Sequence, residues 1–192
     1  MSAPARREQL IDAASALVLE RSFHDVSIDA VAKRSGITRA VVYQHFDDLQ
    51  DLLGAVVERA VERAETGARE AEALTSAETE SHDLMLASVR NYIRAVATDP
   101  ATWQLVLMQP DGAPEPLREK LMESRQRLLA RMTGAVLPIL SESDDPQLTA
   151  SSLSTIANHY AHLTLADPDA YPPERLEAHA DWMIRGFLEG KR

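Results

Sequence analysis

The stretch Val26–Phe46 constrains this chain most, because it fits two short helices separated by a tight turn. Ser27 is a suitable N-cap for the first helix, since its hydroxyl can accept a hydrogen bond from a free amide of the first turn. Gly36 can end that helix in the left-handed conformation, which costs glycine little. Thr38 follows as the expected cap of the second helix. A corner of this kind is typical of the helix-turn-helix, whose second helix enters the major groove of DNA.

The second helix separates an apolar side from a polar one. Val41, Val42 and Phe46 supply the side expected to be buried. On the other side, Arg39 can bond guanine O6 and N7, and Gln44 can bond adenine N6 and N7. The pattern therefore predicts DNA recognition, although a two-helix corner that packs only against protein would show the same spacing.

Other polar side chains around this helix suit the DNA backbone, because hydroxyl, imidazole and ammonium groups bond phosphate oxygens without reading sequence. A small residue, Ala40, permits close approach to the duplex. The complete predicted DNA-binding set is Ser27, Lys33, Thr38, Arg39, Ala40, Tyr43, Gln44 and His45.

The run Gly36–Phe46, after a helix containing Ala30-Val31-Ala32, resembles the DNA-binding domain of the tetracycline-repressor (TetR, AcrR-like) family. That family ends its recognition helix with hydrophobic-Tyr-x-His-Phe, and the likeness runs from about Gln9 to Leu53. Two positions depart from it. Leu49 stands where many members carry a lysine and Asp29 where some carry a cation, which predicts fewer phosphate contacts than in relatives.

The resemblance also implies what the rest of the chain does. In this family the C-terminal part binds a small molecule and forms a homodimer, usually through its last two long helices. Those helices carry apolar residues that fit either a dimer interface or packing within one chain: Leu153, Ile156, Tyr160, Leu163, Leu176, Met183, Phe187 and Leu188.

The charge of the chain is unevenly distributed. The net charge is −10 over 192 residues, but residues 1–46 hold six basic and five acidic residues. The acidity therefore belongs to the rest of the chain, and strong non-specific DNA binding through phosphate neutralisation is not expected. The sequence has no cysteine and no apolar run long enough to span a bilayer, so we expect a cytoplasmic protein without a membrane partner.

Helical periodicity recurs along the chain and no alternating strand pattern occurs. We predict an all-α fold, with an N-terminal three-helix helix-turn-helix DNA-binding domain at residues 1–47. A helical-bundle ligand-binding and dimerisation domain follows at residues 48–192. The helix boundaries expected from the pattern are 7–21, 49–73, 81–97, 101–108, 117–140, 147–166 and 173–190, besides the two short helices of the corner.

A ligand pocket needs apolar walls and a few polar groups. Large apolar and polar side chains of the C-terminal part could supply both, although each one also fits a core or surface position. The predicted ligand-binding set is Met85, Tyr92, Trp103, Met108, Met122, Gln126, Leu129, Asn158 and His162.

Enzymatic signatures are missing from the sequence. The glycines form no phosphate-binding motif, the carboxylates are scattered, and the histidines lack a metal-ligand pattern. We therefore expect no enzyme, no cofactor and no metal. The favoured function is a one-component regulator, expected to act as a repressor, that binds a palindromic operator as a homodimer and is released by a small molecule. The alternatives are a helical protein-binding module and a ligand-independent or activating regulator.

Overall fold

The computed structural model describes residues 2–75, 81–108, 112–137, 140 and 145–189, with side chains for all of these except 81–82 and 187–189. The described chain is all-helical, as the sequence predicts, and contains nine α-helices. They are α1 (Ala3–Arg21), α2 (Ile28–Ser35), α3 (Arg39–Tyr43), α4 (Leu49–Thr75), α5 (Ser81–Thr98), α6 (Pro100–Leu107), α7 (Glu115–Val136), α8 (Pro146–Ala166) and α9 (Pro173–Glu189). No described helix has the length and apolar character that a bilayer crossing needs.

Two compact units share these helices. The first comprises Met1–Arg63 and Ala101–Ser124, and the second comprises Ala64–Pro100 and Arg125–Arg192. Both α4 and α7 contribute to each unit. These units describe packing, whereas the predicted division at residue 47 concerns function, so that division stays a prediction.

Helix α1 begins earlier than the pattern indicated. The sequence predicts a start near Arg7 after an irregular segment, but the helix includes residues from Ala3 onwards. The reason is local: the Ala5 amide donates to the Ser2 hydroxyl at 3.4 Å, and Pro4 lies in the first turn, where its missing amide proton costs nothing.

In the N-terminal part, α2 packs against both α1 and α3. On α1, the apolar residues Leu10, Ala14, Leu17 and Val18 recur with helical spacing and are all buried. Phe23, in a short 3-10 turn between α1 and α2, is also buried, as expected for a side chain that fills the junction.

Helix α4 starts with two reciprocal hydrogen bonds among aspartates. The Asp51 amide donates to Asp48 Oδ1 at 2.8 Å, and the Asp47 amide donates to Asp51 Oδ2 at 3.0 Å. The arrangement resembles a capping box, and the carboxylates also lie favourably at the positive end of the helix dipole. Farther along α4, Arg59 pairs with α1 through Asp12 at 2.7 Å and Glu8 at 3.0 Å. The first half of α4 is thus fastened to α1.

Helix α7 is displaced from its predicted bounds. It begins at Glu115 rather than Leu117 and ends at Val136 rather than Leu140. Pro116 is tolerated because the first helical turn needs no amide donor there. Pro138, which is expected to distort a helix that runs to Leu140, lies outside the described residues.

The second unit has its core where α5 packs against α8 and α9. One cluster joins Ile93 of α5 to Tyr160 of α8 and to Leu176 and Ala180 of α9. Another contains Met85, Val136, Leu140, Ala150 and Ile184. At the edge of the core, Arg94 donates two hydrogen bonds to Glu177, at 2.7 and 3.0 Å. These contacts fix α9 against α5.

Candidate nucleic-acid interface and ligand cavities

The turn between α2 and α3 has the conformation that its residues favour. The Ala30 amide donates to the Ser27 hydroxyl at 3.2 Å, and Gly36 lies in the left-handed region with φ +67°. Both predictions are confirmed. Thr38 occupies the N-cap position of α3, but its side chain makes no capping hydrogen bond, contrary to expectation. Its hydroxyl is exposed instead.

Helix α3 presents the predicted polar face to solvent. Arg39, Ala40 and Gln44 are exposed, and Val42 and Phe46 on the opposite side are buried. Tyr43 is 48% exposed, which rules out a core position for it.

The residues predicted to contact the DNA backbone differ in their exposure to solvent. Ser27 and Lys33 are exposed, whereas His45 is half-buried. Other basic side chains nearby are engaged in holding the unit together. Arg34 donates two hydrogen bonds of 2.7 Å to Glu20, which lowers the pKa of that carboxyl, and Arg7 lies over the Phe46 ring at 4.9 Å.

Arg39 has a partner that the sequence did not reveal. Its Nη1 donates to Asp29 Oδ2 at 3.3 Å, and its Nε lies 3.2 Å from Asp29 Oδ1. Both side chains are more than half exposed. The Tyr43 hydroxyl, as a hydrogen-bond partner, and the charge of Asp29 raise the pKa of the guanidinium. The predicted base-reading cation of α3 is therefore paired with a carboxylate of α2.

Two cavities and a groove lie within the second unit. The first cavity, of about 50 Å³, is lined by α4, α5 and α7, and Ser88, Tyr92, Arg131 and Met132 are among its walls. The second cavity, of about 30 Å³, lies between α5, α7, α8 and α9 and shares Ser88 and Met132 with the first. The α8–α9 groove, of about 320 Å³, shares Val89, Leu153 and Ile184 with the second cavity. The three spaces therefore follow one another through the unit.

The walls of the first cavity are mostly apolar with a charged pair at one edge. Arg131 Nη2 donates to a carboxylate oxygen of Glu72, and both residues line the cavity. The hydroxyl of Tyr92 is buried, and burial raises its pKa, so this side chain stays neutral. The arrangement suits a ligand that is apolar over most of its length.

Only part of the predicted ligand set reaches these cavities. Tyr92 lines the first cavity and Met85 the second. Trp103, Met108 and Met122 belong to the first unit instead, and Met108 and Met122 are exposed. The rest lie in the second unit but line none of these three spaces: Gln126, Leu129, Asn158 and His162. His162 Nδ1 lies 2.8 Å from the Asn158 carbonyl oxygen of its own helix.

The residues that the sequence reasoning missed include Met132, Arg131 and Glu72. One signal was present: small side chains recur on α4 at Ala68, Ala71 and Thr75, with helical spacing. A row of small residues leaves room beside a helix, whereas the search for large apolar side chains overlooked it.

Comparison with known proteins supports this description. Residues 10–56 match the family model described as bacterial regulatory proteins, tetR family. The HTH-type transcriptional activator FasR of Mycolicibacterium smegmatis is 32% identical over 111 residues, which are 58% of this chain and 49% of that protein. The chain thus matches about half the length of this curated relative.

Solved structures share the fold over nearly the whole chain. A TetR-like transcriptional regulator from Rhodococcus sp. RHA1 superposes with a TM-score of 0.74 at 18% identity, covering 100% of both chains. The transcriptional regulator FadR from Bacillus subtilis, in complex with stearoyl-CoA, gives a TM-score of 0.68 at 16% identity. That match covers 96% of this chain and 99% of FadR.

The corner between α2 and α3, with the exposed face of α3, has the geometry of a DNA-binding helix-turn-helix. Residues 10–56 thus match the tetR family of bacterial regulatory proteins, and the fold of the chain is shared with TetR-like regulators of known structure. Its named relatives are transcriptional regulators rather than enzymes.

Proposed function

We propose that this protein binds a palindromic operator as a homodimer and that a small molecule bound in the second unit releases it. The observation that carries the proposal is the polar face of α3, which is exposed and lies inside the segment that matches the family model. Two copies of α3 in a symmetric dimer would read half-sites about one helical turn, roughly 34–36 Å, or a multiple apart.

Within each half-site the side chains have separate roles. Arg39 and Gln44 read bases, because their donor and acceptor groups match guanine and adenine edges in the major groove. Ala40 lets the helix approach closely. The phosphate-contacting residues fix the register: Ser27, Lys33, Thr38, Tyr43 and His45. Ser27 can cap α2 and still donate its hydroxyl proton to a phosphate, since the cap uses only an acceptor lone pair.

The dimer is proposed to form through α8 and α9. Leu148 is 64% and Trp182 70% exposed, which is unusual for apolar side chains of this size. The α8–α9 groove offers an apolar surface beside Leu148 for side chains of a second copy. Symmetric pairing of the same patch on both chains is the commonest way to cover such a surface. Phe187 and Leu188, also predicted for this interface, have side chains outside the described residues.

The effector is proposed to occupy the two cavities as one space. Neither alone nor the two together approach the roughly 300–1,000 Å³ of a typical ligand pocket, so the ligand would also have to displace side chains that line them. Met132 lines both, and a methionine side chain adapts its rotamer easily. If Met132 moved, the cavities would join into an elongated apolar space with Arg131 near one end.

The shape and chemistry of that space favour a ligand with an apolar chain and an anionic end. Arg131 can exchange Glu72 for an anionic group of the ligand, since exposed ion pairs contribute only about 0–1 kcal/mol. The complex of the similarly folded FadR with stearoyl-CoA supports the same class. We therefore propose a fatty acid or fatty acyl thioester as the effector.

The test combines footprinting on DNA upstream of the chain's own gene with release by a series of acyl-CoA and free fatty acids. Protection of a palindrome, and its loss with long but not short chains, would support the proposal. Coenzyme A alone is the control. A chain that protects no DNA contradicts the regulator and points to a helical protein-binding module instead. DNA protection that no acyl ligand alters contradicts only the effector class.

Activation is the second candidate, because the relative from Mycolicibacterium smegmatis is named an activator. A reporter gene placed behind the protected palindrome separates the two. Higher expression without the regulator indicates repression, and lower expression without it indicates activation.

A further inference from the structure

The contact between Asp29 and Arg39 places a carboxylate on the surface that is proposed to face DNA. Asp29 lies in the first turn of α2 and Arg39 is the first residue of α3. A carboxylate at such a site repels phosphate, and its side chain is 67% exposed, so its structural contribution is limited to its favourable place near the positive end of the α2 dipole. Its position beside the candidate base-reading cation calls for a functional explanation.

The contact is strong enough to orient Arg39 and weak enough to be exchanged. The hydrogen bond is 3.3 Å long and exposed to solvent, so a base edge can compete with it. An arginine has five N–H donors, and the contacts of Arg39 with Asp29 leave donors for guanine. The guanidinium is thus held near α2 and still has N–H donors for a base.

The charge of Asp29 also changes what Arg39 can gain from phosphates. An arginine side chain without an acidic neighbour can contact phosphate oxygens on DNA of any sequence, because that attraction depends on charge alone. A nearby carboxylate offsets the attraction, whereas two directed hydrogen bonds to guanine still reward the correct base. The pair therefore favours base contacts over phosphate contacts.

We propose that Asp29 is a specificity-determining residue that positions Arg39 for base reading and suppresses its binding to phosphate. This proposal rests on the proposed DNA-binding function of α3. It explains the departure from the family pattern at Asp29 as a gain in discrimination, obtained at the expense of affinity for non-cognate DNA.

The experiment uses the full-length protein and a duplex that it selects from a random pool. Fluorescence anisotropy then measures binding to that duplex, to a panel with single base-pair changes, and to an unrelated duplex, each over a range of salt concentrations. Asp29→Asn should raise affinity for unrelated DNA about threefold and steepen the salt dependence, as expected when Arg39 gains a phosphate. Discrimination at one base pair, roughly 5- to 150-fold for a good arginine–guanine contact, should fall at least about threefold.

Three further variants separate positioning from simpler effects. Asp25→Asn removes the same charge from another exposed site of the first unit and should leave discrimination unchanged. Asp29→Glu keeps the charge and should restore most of the discrimination. In an Arg39→Ala background, Asp29→Asn should have no effect at that base pair, because Asp29 acts through Arg39.

Specific outcomes would overturn the proposal. Equal weakening on all duplexes by Asp29→Asn would mean a structural role in α2, and an unchanged ratio would mean no role in specificity. A further change in base preference in the Arg39→Ala background would mean that Asp29 reads a base by itself. If the wild-type protein selects no duplex, it is the proposed function that fails, so the two failures are distinguishable.

Discussion

At the scale of the residue, charged side chains in the first unit divide into those that hold the fold and those that face solvent. Arg34 and Arg59 pair with carboxylates of α1, so their charge stabilises the packing of helices. Lys33 is exposed and takes part in neither pair. Arg39 is intermediate, because its ion pair with Asp29 is exposed to solvent and is proposed to give way to DNA. Lys33 and Arg39 are therefore the cations of this group that we expect to contact DNA.

Replacing Arg39 by alanine should affect one base pair, whereas replacing Lys33 should affect all sequences. We expect Arg39→Ala to cost about 1–3 kcal/mol on the operator and to relax preference at a single position. Lys33→Ala should weaken binding uniformly and reduce the salt slope by about 1. Titrations of the base-substituted duplex panel measure both. Uniform weakening by Arg39→Ala would identify Arg39 as a phosphate contact instead.

At the scale of the element, local signals fixed the corner between α2 and α3. The cap at Ser27 and the left-handed conformation of Gly36 depend only on residues a few positions away, so the sequence pattern predicts both. The predicted start of α1 and both predicted ends of α7 differ from the structure by two to four residues. There the fraying energy of a terminal turn is small, and a single cap or proline decides the boundary.

Two glycines should respond oppositely to substitution by alanine. At Gly36 an added Cβ meets no atom within 4 Å, but φ +67° strains any L side chain, so Gly36→Ala should destabilise by about 1 kcal/mol. Gly54 lies inside α4 with equally open space and ordinary helical dihedrals. Gly54→Ala should therefore stabilise by roughly 0.5–1 kcal/mol.

Denaturant unfolding at one fixed protein concentration measures the pair of effects. Gly36→Asn serves as the matched control, because asparagine tolerates the left-handed region better than alanine. Equal losses for Asn and Ala at position 36 would contradict the backbone explanation.

At the scale of the whole molecule, the proposed activity requires two chains and a ligand-dependent change between them. Helix α4 contributes residues to both compact units and α8 and α9 carry the exposed apolar patch. A ligand can shift the operator equilibrium only by its difference in affinity for the two conformations, typically about 1–3 kcal/mol of coupling. We expect α4 to transmit that difference.

Placing a charge on the exposed patch should separate the two chains. Trp182→Glu is expected to convert the dimer into a folded monomer, because a carboxylate buried at an apolar interface is strongly disfavoured. Leu74→Glu is the matched control, since Leu74 is 66% exposed on α4. Light scattering coupled to size exclusion measures the mass, and circular dichroism verifies the helical content. A Trp182→Glu protein that remains dimeric would exclude this face.

A larger side chain in place of Met132, which lines both cavities, should abolish the effector response without abolishing DNA binding. We expect Met132→Trp to occupy the first and second cavities, so that acyl ligands no longer raise the melting temperature or release the operator. Leu74→Trp adds the same group at an exposed site and should respond normally. Undiminished ligand stabilisation in Met132→Trp would place the effector elsewhere.

The helical fold, the corner and the exposed face of α3 could be predicted from the sequence, because helical periodicity and capping are properties of residues close together in the chain. The tertiary structure alone decided which distant residues meet. It brought Asp29 to Arg39, and it placed Gly112 so close to the His24 ring that a side chain at position 112 would force the ring to move. It also set Met132 between two cavities. Such contacts depend on how helices pack side by side, and the spacing of residues within one helix carries no record of the neighbour it will meet.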